Sequence, residues 1–209
     1  MQLTWANQIT ILRIVLIIPF VIFMLEGNHA QFGMAARYIA LGIFLVMAVS
    51  DAVDGYLARV KKQVTHLGTF LDPLADKLLI TAACIMLTVK RSAVPGFQMP
   101  IEPVILILSK DILLLLGFIT TYFITGHVRI VPVWAGKLST FLQSMIVVST
   151  LVGPEAVKIV GLWTHWVWIC WWATGGIAAQ ATIVYIRHGM RYIEEFEQQS
   201  RQKNTTMRR

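Results

Sequence analysis

The chain has 209 residues, of which 56% are hydrophobic and 14% are charged, and its mean hydropathy is +0.67. This composition excludes an ordinary soluble domain and is typical of a one-domain polytopic membrane protein. The formal net charge of +7 indicates membrane orientation and attraction to anionic lipids. Nucleic-acid binding is not expected, because no basic run interleaves with exposed aromatic residues.

Six long apolar segments predict an all-α fold with six transmembrane helices. They cover 9–25, 38–59, 69 or 73 to 89, 101–124, 138–152 and 163–186. The first is too long for a signal-peptide core and is interpreted as a retained membrane helix. Turn-rich stretches at 90–100 and 153–161 are predicted to connect helices. Residues 1–190 are therefore expected to form one membrane domain, and 191–209 a charged cytoplasmic tail.

Four aspartates stand within 26 residues around the second and third predicted helices, and they are Asp51, Asp54, Asp72 and Asp76. Carboxylates at membrane depth are costly and usually functional. Spacings of three and four residues place each pair on one helix face, so all four converge if the two helices are antiparallel neighbours. Because converging carboxylates repel one another, they need a positive counter-charge. Hard oxygen ligands suit Mg²⁺ or Mn²⁺, and two such ions are the usual clamp for displacement at phosphorus.

The residues beside these acids fit a phosphate-bearing ligand. Gly55, Ala58 and Gly68 are small and leave room for a bulky ligand or a close helix contact. Arg59 and Lys77 are cations that could contact phosphate.

The spacing of these residues is itself a motif. In order it is Asp51-x-x-Asp54-Gly55-x-x-Ala58-Arg59, then eight residues, then Gly68-x-x-x-Asp72-x-x-x-Asp76. All eight fixed positions resemble the signature of the CDP-alcohol phosphatidyltransferase family. The resemblance implies a six-helix integral membrane enzyme, usually a homodimer, that transfers a phosphatidyl or similar group from a CDP-linked donor to an alcohol and releases CMP.

The resemblance also implies roles for individual residues. The metal ligands are Asp51, Asp54, Asp72 and Asp76, and the residues that admit the CDP-lipid donor are Gly55, Ala58, Arg59 and Gly68. Asp76 is assigned as the base that takes a proton from the acceptor alcohol. The implied donor is CDP-diacylglycerol, and the surrounding membrane lipids are further partners.

Three further segments resemble the family. In 7–13, NQITILR, Arg13 either snorkels to the interface or contacts a phosphate. In the fourth span, Lys110 and Asp111 belong either to a mutual or inter-helix ion pair, or to a substrate site in which the cation stands beside an outer carboxylate. In 136–143, GKLSTFLQ, Lys137 is a candidate for binding an acceptor or donor phosphate.

The acceptor is less well defined. Glycerol 3-phosphate is the commonest acceptor of such bacterial enzymes, but these usually carry two arginines in the fourth span. Here Lys110 stands in the first place and no arginine follows at 113–117. Phosphatidylglycerol, the acceptor of the cardiolipin synthases, is a near-equal alternative, and inositol phosphate, serine and choline stay open. A cation or proton transporter is a distant alternative, because transporters also use intramembrane carboxylates.

The distribution of Lys and Arg predicts the orientation. With six spans and the N-terminus inside, ten of these residues lie in the inner loops and tail and four in the outer loops. Positive charge is enriched on the cytoplasmic side of membrane proteins. The prediction is a multi-pass protein of the cell inner (cytoplasmic) membrane, with its aspartates facing the cytosol.

Overall fold

The computed structural model describes the backbone of 5–29, 32–61, 66–125 and 134–206, and within it the side chains of 10–29, 32–50, 75, 77–117, 119–120, 138–187 and 189–190. Over these residues the chain forms seven α-helices and no β-strand beyond one isolated bridge between Val94 and Phe97. The helices are α1 (Trp5–Glu26), α2 (Gly33–Lys61), α3 (His66–Thr88), α4 (Ile101–Thr125), α5 (Trp134–Leu151), α6 (Gly153–Ile159) and α7 (Trp163–Thr206). The all-α prediction is confirmed.

The six predicted helices are all present, but the stretch at 153–161 was wrongly predicted to be only a turn. Residues 153–159 form the short helix α6, which follows α5 after a single residue. Pro154 and Glu155 occupy its first turn and Lys158 its last. A proline in the first turn favours a helix, as do an acidic residue near the N-terminus and a basic residue near the C-terminus, because these charges interact favourably with the helix dipole. The chain therefore both turns sharply and forms a helix here, because the axis of α6 is bent by 73° from that of α5.

The helices bury polar as well as apolar residues and expose large apolar ones, as expected of a protein that lies in lipid. In α1, the buried residues Thr10, Arg13, Phe20 and Met24 recur at helical spacing along one face. On the other face Ile18 is 63% exposed. Lipid rather than water is the natural environment for such an outer face.

Among the described residues, two segments, Gly33–Ser50 and Trp163–Arg187, are long and apolar enough to cross a bilayer, and α5 with α6 makes a third if that bent pair is one broken span. The number six stays a prediction. Helix α7 has 44 residues, a length of about 66 Å at the usual rise, so it extends well beyond a hydrocarbon core of about 30 Å.

The packing of the helices positions the aspartate-bearing segment. Helix α1 packs against both α2 and α3, and α5 also touches both. Helix α4 packs mainly against α7 and also meets α3. The helices α2 and α3 are therefore held by two shared neighbours.

The end of the fold away from the 62–65 connection is tied by polar contacts. The Asn28 side-chain amide donates to the backbone carbonyls of Lys90, Arg91 and Ala93 at 3.3, 3.0 and 3.0 Å. Arg37 of α2 forms an ion pair with Glu155 of α6. These contacts join the α1–α2 connection to the α3–α4 connection, and α2 to α6.

Candidate active site

The motif residues lie on the two helix ends that the 62–65 connection joins. Asp51 and Asp54 precede Lys61, the last residue of α2, by ten and seven residues, while Asp72 and Asp76 follow His66, the first residue of α3, by six and ten. At 1.5 Å per residue these positions lie about 15 and 10 Å from the end of α2, and about 9 and 15 Å from the start of α3. The two pairs are therefore at matching depths from the connection.

The same positions border the apolar parts of their helices. The sequence has no charged residue in 38–50 of α2 or in 78–88 of α3, whereas all four motif aspartates lie between these stretches. Both pairs thus stand where membrane-compatible sequence gives way to polar sequence. Carboxylates at this boundary can reach water-soluble substrates at much lower cost than at mid-bilayer.

The side chains of the predicted donor-site and metal-site residues lie outside the described part of the structure. They are Asp51, Asp54, Gly55, Ala58, Arg59, Gly68, Asp72 and Asp76, and the side chain of Lys137 in the first turn of α5 lies outside it as well. Their backbone positions are given by α2, α3 and α5, and their convergence stays a prediction. Among the residues whose side chains are described, no group of three or more His, Cys, Asp or Glu could hold a metal ion.

Directly next to the motif, the described side chains form a buried ion cluster. The Asp111 Oδ1 atom of α4 lies 3.1 Å from Lys110 Nζ and 3.1 Å from Lys77 Nζ of α3. The side chains of Lys110 and Asp111 are 1% and 5% exposed, whereas that of Lys77 is 22% exposed. Buried charges persist only when they are paired and hydrogen-bonded, so this cluster joins α3 to α4 at the residue after Asp76.

Two hydroxyl groups of α5 complete the cluster. Lys110 Nζ donates to Ser139 Oγ at 3.0 Å, and Lys77 Nζ donates to Thr140 Oγ1 at 2.9 Å. Gln143, one turn further along α5, donates to Ser139 Oγ at 3.3 Å. The cluster therefore connects α3, α4 and α5 through ionic and hydrogen-bonding contacts.

Of the two interpretations of Lys110 and Asp111, the structure shows the ion pair. A direct phosphate contact of Lys110 stays a prediction, and in this arrangement its ammonium is covered. The more exposed ammonium in the cluster is that of Lys77. Lys77 thus pairs with Asp111 while part of its side chain stays exposed.

Arg13 lies inside the helix assembly and does not snorkel to the interface. Its side chain and that of Thr10, one turn earlier on α1, are both buried. Helix α1 contacts α2 and α3, so a guanidinium on its buried face belongs with the interior. This position fits the phosphate-contact interpretation of Arg13, which stays a prediction.

The sequence did not single out Ser139 or the pairing of Lys77 with Asp111. Ser139 lies inside the GKLSTFLQ segment, whose Thr140 and Gln143 are positions of the family-like pattern. Lys77 and Asp111 are 34 residues apart, and the sequence gives no signal that joins them. The intramembrane charge of Asp111 was the available hint that a cation from another helix lies nearby.

Comparison with known proteins adds independent information on the whole chain. The sequence model of a family described as CDP-alcohol phosphatidyltransferase matches residues 3–194. A "Probable phosphatidylglycerophosphate synthase" of Mycobacterium tuberculosis is 34% identical over 74% of this chain and 70% of the relative. A "CDP-diacylglycerol--glycerol-3-phosphate 3-phosphatidyltransferase" of Bacillus subtilis is 37% identical over 70% of this chain and 75% of the relative. One of the same name from Pseudomonas fluorescens is 31% identical over 87% of each.

Proposed function

The chain belongs to the CDP-alcohol phosphatidyltransferase family, and from that premise we propose that it transfers a phosphatidyl group from CDP-diacylglycerol to sn-glycerol 3-phosphate. The products are phosphatidylglycerol phosphate and CMP, and the reaction belongs to phospholipid biosynthesis. The names of the relatives from Bacillus subtilis and Pseudomonas fluorescens support this donor and this acceptor.

One observation carries the proposal: the complete motif occupies the two helix ends joined by 62–65, with its aspartate pairs at matching depths. If α2 and α3 run side by side from this connection, their acidic faces meet at one level. The arrangement supports a common site at the membrane boundary, where a lipid headgroup and a soluble acceptor both have access.

The four motif carboxylates fit divalent metal ions as their counter-charge. The carboxylates of Asp51, Asp54, Asp72 and Asp76 supply hard oxygen ligands, and two ions of Mg²⁺ or Mn²⁺ neutralise four negative charges. When bound, such ions offset negative charge on the donor diphosphate and on the departing CMP.

The residues of the chain supply the rest of the chemistry. The acceptor hydroxyl oxygen forms a bond to the phosphorus of the phosphatidyl group, and the bond from that phosphorus to the CMP oxygen breaks. An alcohol is a poor nucleophile at neutral pH, so its proton must be removed as the new bond forms. Asp76 is the proposed acceptor of that proton, and Gly55, Ala58, Arg59 and Gly68 form the proposed donor site.

The remaining proposals concern the phosphate contacts, the location in the membrane and the oligomeric state. Lys137 in the first turn of α5 is a proposed phosphate contact, as is Lys110 if its ammonium leaves Asp111. The proposed location is the cell inner membrane with the site facing the cytosol, because Lys and Arg are concentrated in the loops and tail on that side. A homodimer is proposed from the family resemblance.

The test measures CMP release by the purified protein from CDP-diacylglycerol, with Mg²⁺ or Mn²⁺ present. We expect release to depend on glycerol 3-phosphate, and Asp76→Asn to abolish turnover. The matched control is Glu102→Gln, since Glu102 is an exposed acid at the start of α4, and it should keep wild-type turnover. A transporter would release no CMP, and an Asp76→Asn variant with full turnover would refute the assignment of the base.

A second acceptor, phosphatidylglycerol, is favoured by one observation. In 109–117 of the fourth span the only charged residues are Lys110 and Asp111, and these are paired with each other. A second fixed cation for an acceptor phosphate is therefore missing from this segment. Replacing glycerol 3-phosphate by phosphatidylglycerol in the same assay separates the two functions, because only a cardiolipin synthase would then form CMP.

A further inference from the structure

The buried cluster around Asp111 is the strongest polar feature outside the motif. One carboxylate oxygen faces two ammonium groups at 3.1 Å, and these come from α3 and α4. Ser139 and Thr140 of α5 accept hydrogen bonds from the same two ammonium groups. Three helices are thus joined at one point, directly beside the position of Asp76 in the chain.

We propose that Asp111 is a positioning residue for the reaction: through Lys77 it fixes the rotation of α3 about its axis and thereby the placement of the face that carries Asp72 and Asp76. This inference rests on the proposed function, because it assigns those two aspartates to the reacting site. As a positioning residue, Asp111 itself touches no substrate. It acts through the ammonium of Lys77.

Helix geometry explains why holding Lys77 is effective. Neighbouring positions on an α-helix are about 100° apart, and positions four apart differ by about 40°. Once Lys77 is directed toward Asp111 and Thr140, the directions of positions 76 and 72 follow. A rotation of 10° would move a side-chain atom about 5 Å from the helix axis by roughly 1 Å. A displacement of this size can cost about 10²-fold in rate.

The composition of the cluster argues against a role in stability alone. A buried ion pair is weak support for stability, because desolvation of the charges offsets their attraction. Both oxygens of the Asp111 carboxylate are buried, and neither accepts a hydrogen bond from the described residues. The ionic contacts at Oδ1 therefore offset the burial of this charge only in part. In lipid, van der Waals packing associates helices, and an ionic contact between helices adds a directional constraint to that packing.

The test uses the full-length protein and its CMP release from CDP-diacylglycerol. The principal variant is Asp111→Asn, which removes the carboxylate charge and leaves in place Lys110, a proposed phosphate contact that also donates to Ser139. We expect kcat to fall roughly 10- to 100-fold, with the KM for the donor within about twofold of wild type. Asp111→Glu restores a carboxylate and should recover most of the loss. Adding Lys77→Met to the principal variant should lower kcat no further.

A matched control separates positioning from general loosening. Glu155→Gln removes the carboxylate of the other described inter-helix ion pair, that with Arg37, which lies away from the motif. It should lower the thermal midpoint yet leave kcat within about twofold of wild type. An equal loss of kcat in Glu155→Gln would overturn the proposal, because the effect would then follow from lost stability.

Each remaining outcome either supports or overturns the proposed role of Asp111. A folded Asp111→Asn variant with wild-type kcat would overturn the proposal. If that variant does not fold, Lys77→Met alone tests the same link. Wild-type kcat in Lys77→Met overturns the proposal, while a loss confined to kcat supports it.

Thermal midpoints test the link without measuring turnover. The changes in stability caused by the Asp111 and Lys77 substitutions should be non-additive. A wild-type protein that releases no CMP refutes the proposed function, whereas an active wild type with active variants refutes only this inference.

Discussion

Replacing Gly153 by alanine tests the packing between α6 and the connection that precedes α4. A Cβ atom at this position would lie 2.7, 2.8 and 2.9 Å from the Cε2, Cδ2 and Cζ atoms of Phe97. The Phe97 ring is 4% exposed, and its backbone is held by the bridge to Val94. The preceding residue, Gly96, has a φ of 79°, which favours glycine and makes this turn hard to reshape.

The expected loss of stability follows from these distances. Carbon atoms in contact prefer a separation of about 3.5–4.0 Å, so the new methyl group overlaps the ring by roughly 0.8 Å. Overpacking of this kind costs about 1–3 kcal/mol. The better helix propensity of alanine offsets at most about 1 kcal/mol, and less at the first residue of α6. A net loss of about 1–2 kcal/mol lowers the thermal midpoint by roughly 2–8 °C for a chain of this length.

The assay is thermal unfolding in detergent, followed by tryptophan fluorescence, with Gly161→Ala as the control. A Cβ atom at Gly161 would meet no heavy atom within 4 Å, so this variant should match or exceed wild-type stability. Combining Gly153→Ala with Phe97→Leu should recover part of the loss, because the smaller side chain leaves space for the methyl group. A Gly153→Ala protein as stable as Gly161→Ala would refute the reasoning.

Three further predictions concern other contacts. Glu155→Gln should destabilise the protein by about 2–3 kcal/mol in thermal unfolding, less than for a fully buried pair, because the side chains of Arg37 and Glu155 are 8% and 25% exposed. Asn28→Ala should cost about 1 kcal/mol and increase hydrogen exchange at 90–93, since three carbonyls lose their donor. Unchanged protection there would contradict this role. Chelation by EDTA should abolish CMP release, and Mg²⁺ or Mn²⁺ should restore it; full activity after chelation would refute the metal assignment.

Most of the fold could be predicted because lipid imposes long apolar segments. Each of the six predicted helices corresponds to an observed one. The predicted ends differ from the observed ones by at most seven residues, except that α7 continues 20 residues past the predicted end at 186. The exception is α6, whose seven residues are too short to show a helical hydrophobic period. Its signals were local, namely Pro154 and Glu155 at the start and Lys158 at the end. The glycines that flank this stretch, Gly153 and Gly161, favoured the interpretation as a turn.

The motif of the candidate site could be predicted from the sequence, whereas the contacts of Lys110 and Asp111 could not. A fixed spacing of chemically specific residues identifies the motif, because a chance match over eight positions is very improbable. The partners of Lys110 and Asp111 were not predictable, since the rotation of a helix decides which side chains from other helices they meet. The sequence suggested a mutual or inter-helix ion pair without identifying a partner on another helix. The structure adds Lys77 and Ser139, which come from two other helices.

Helix α3 carries half of the motif acids, and this explains why an ionic cluster beside them matters. The stretch 78–88 of α3 has no charged residue, and its contacts are mainly apolar. An ammonium held between a carboxylate and a hydroxyl group adds a directional constraint, because both distances must be kept. In the proposal this constraint lies at Lys77, the residue after Asp76, and Asp76 is the proposed proton acceptor. The proposed reason for burying Asp111 and Lys110 is therefore the orientation of α3.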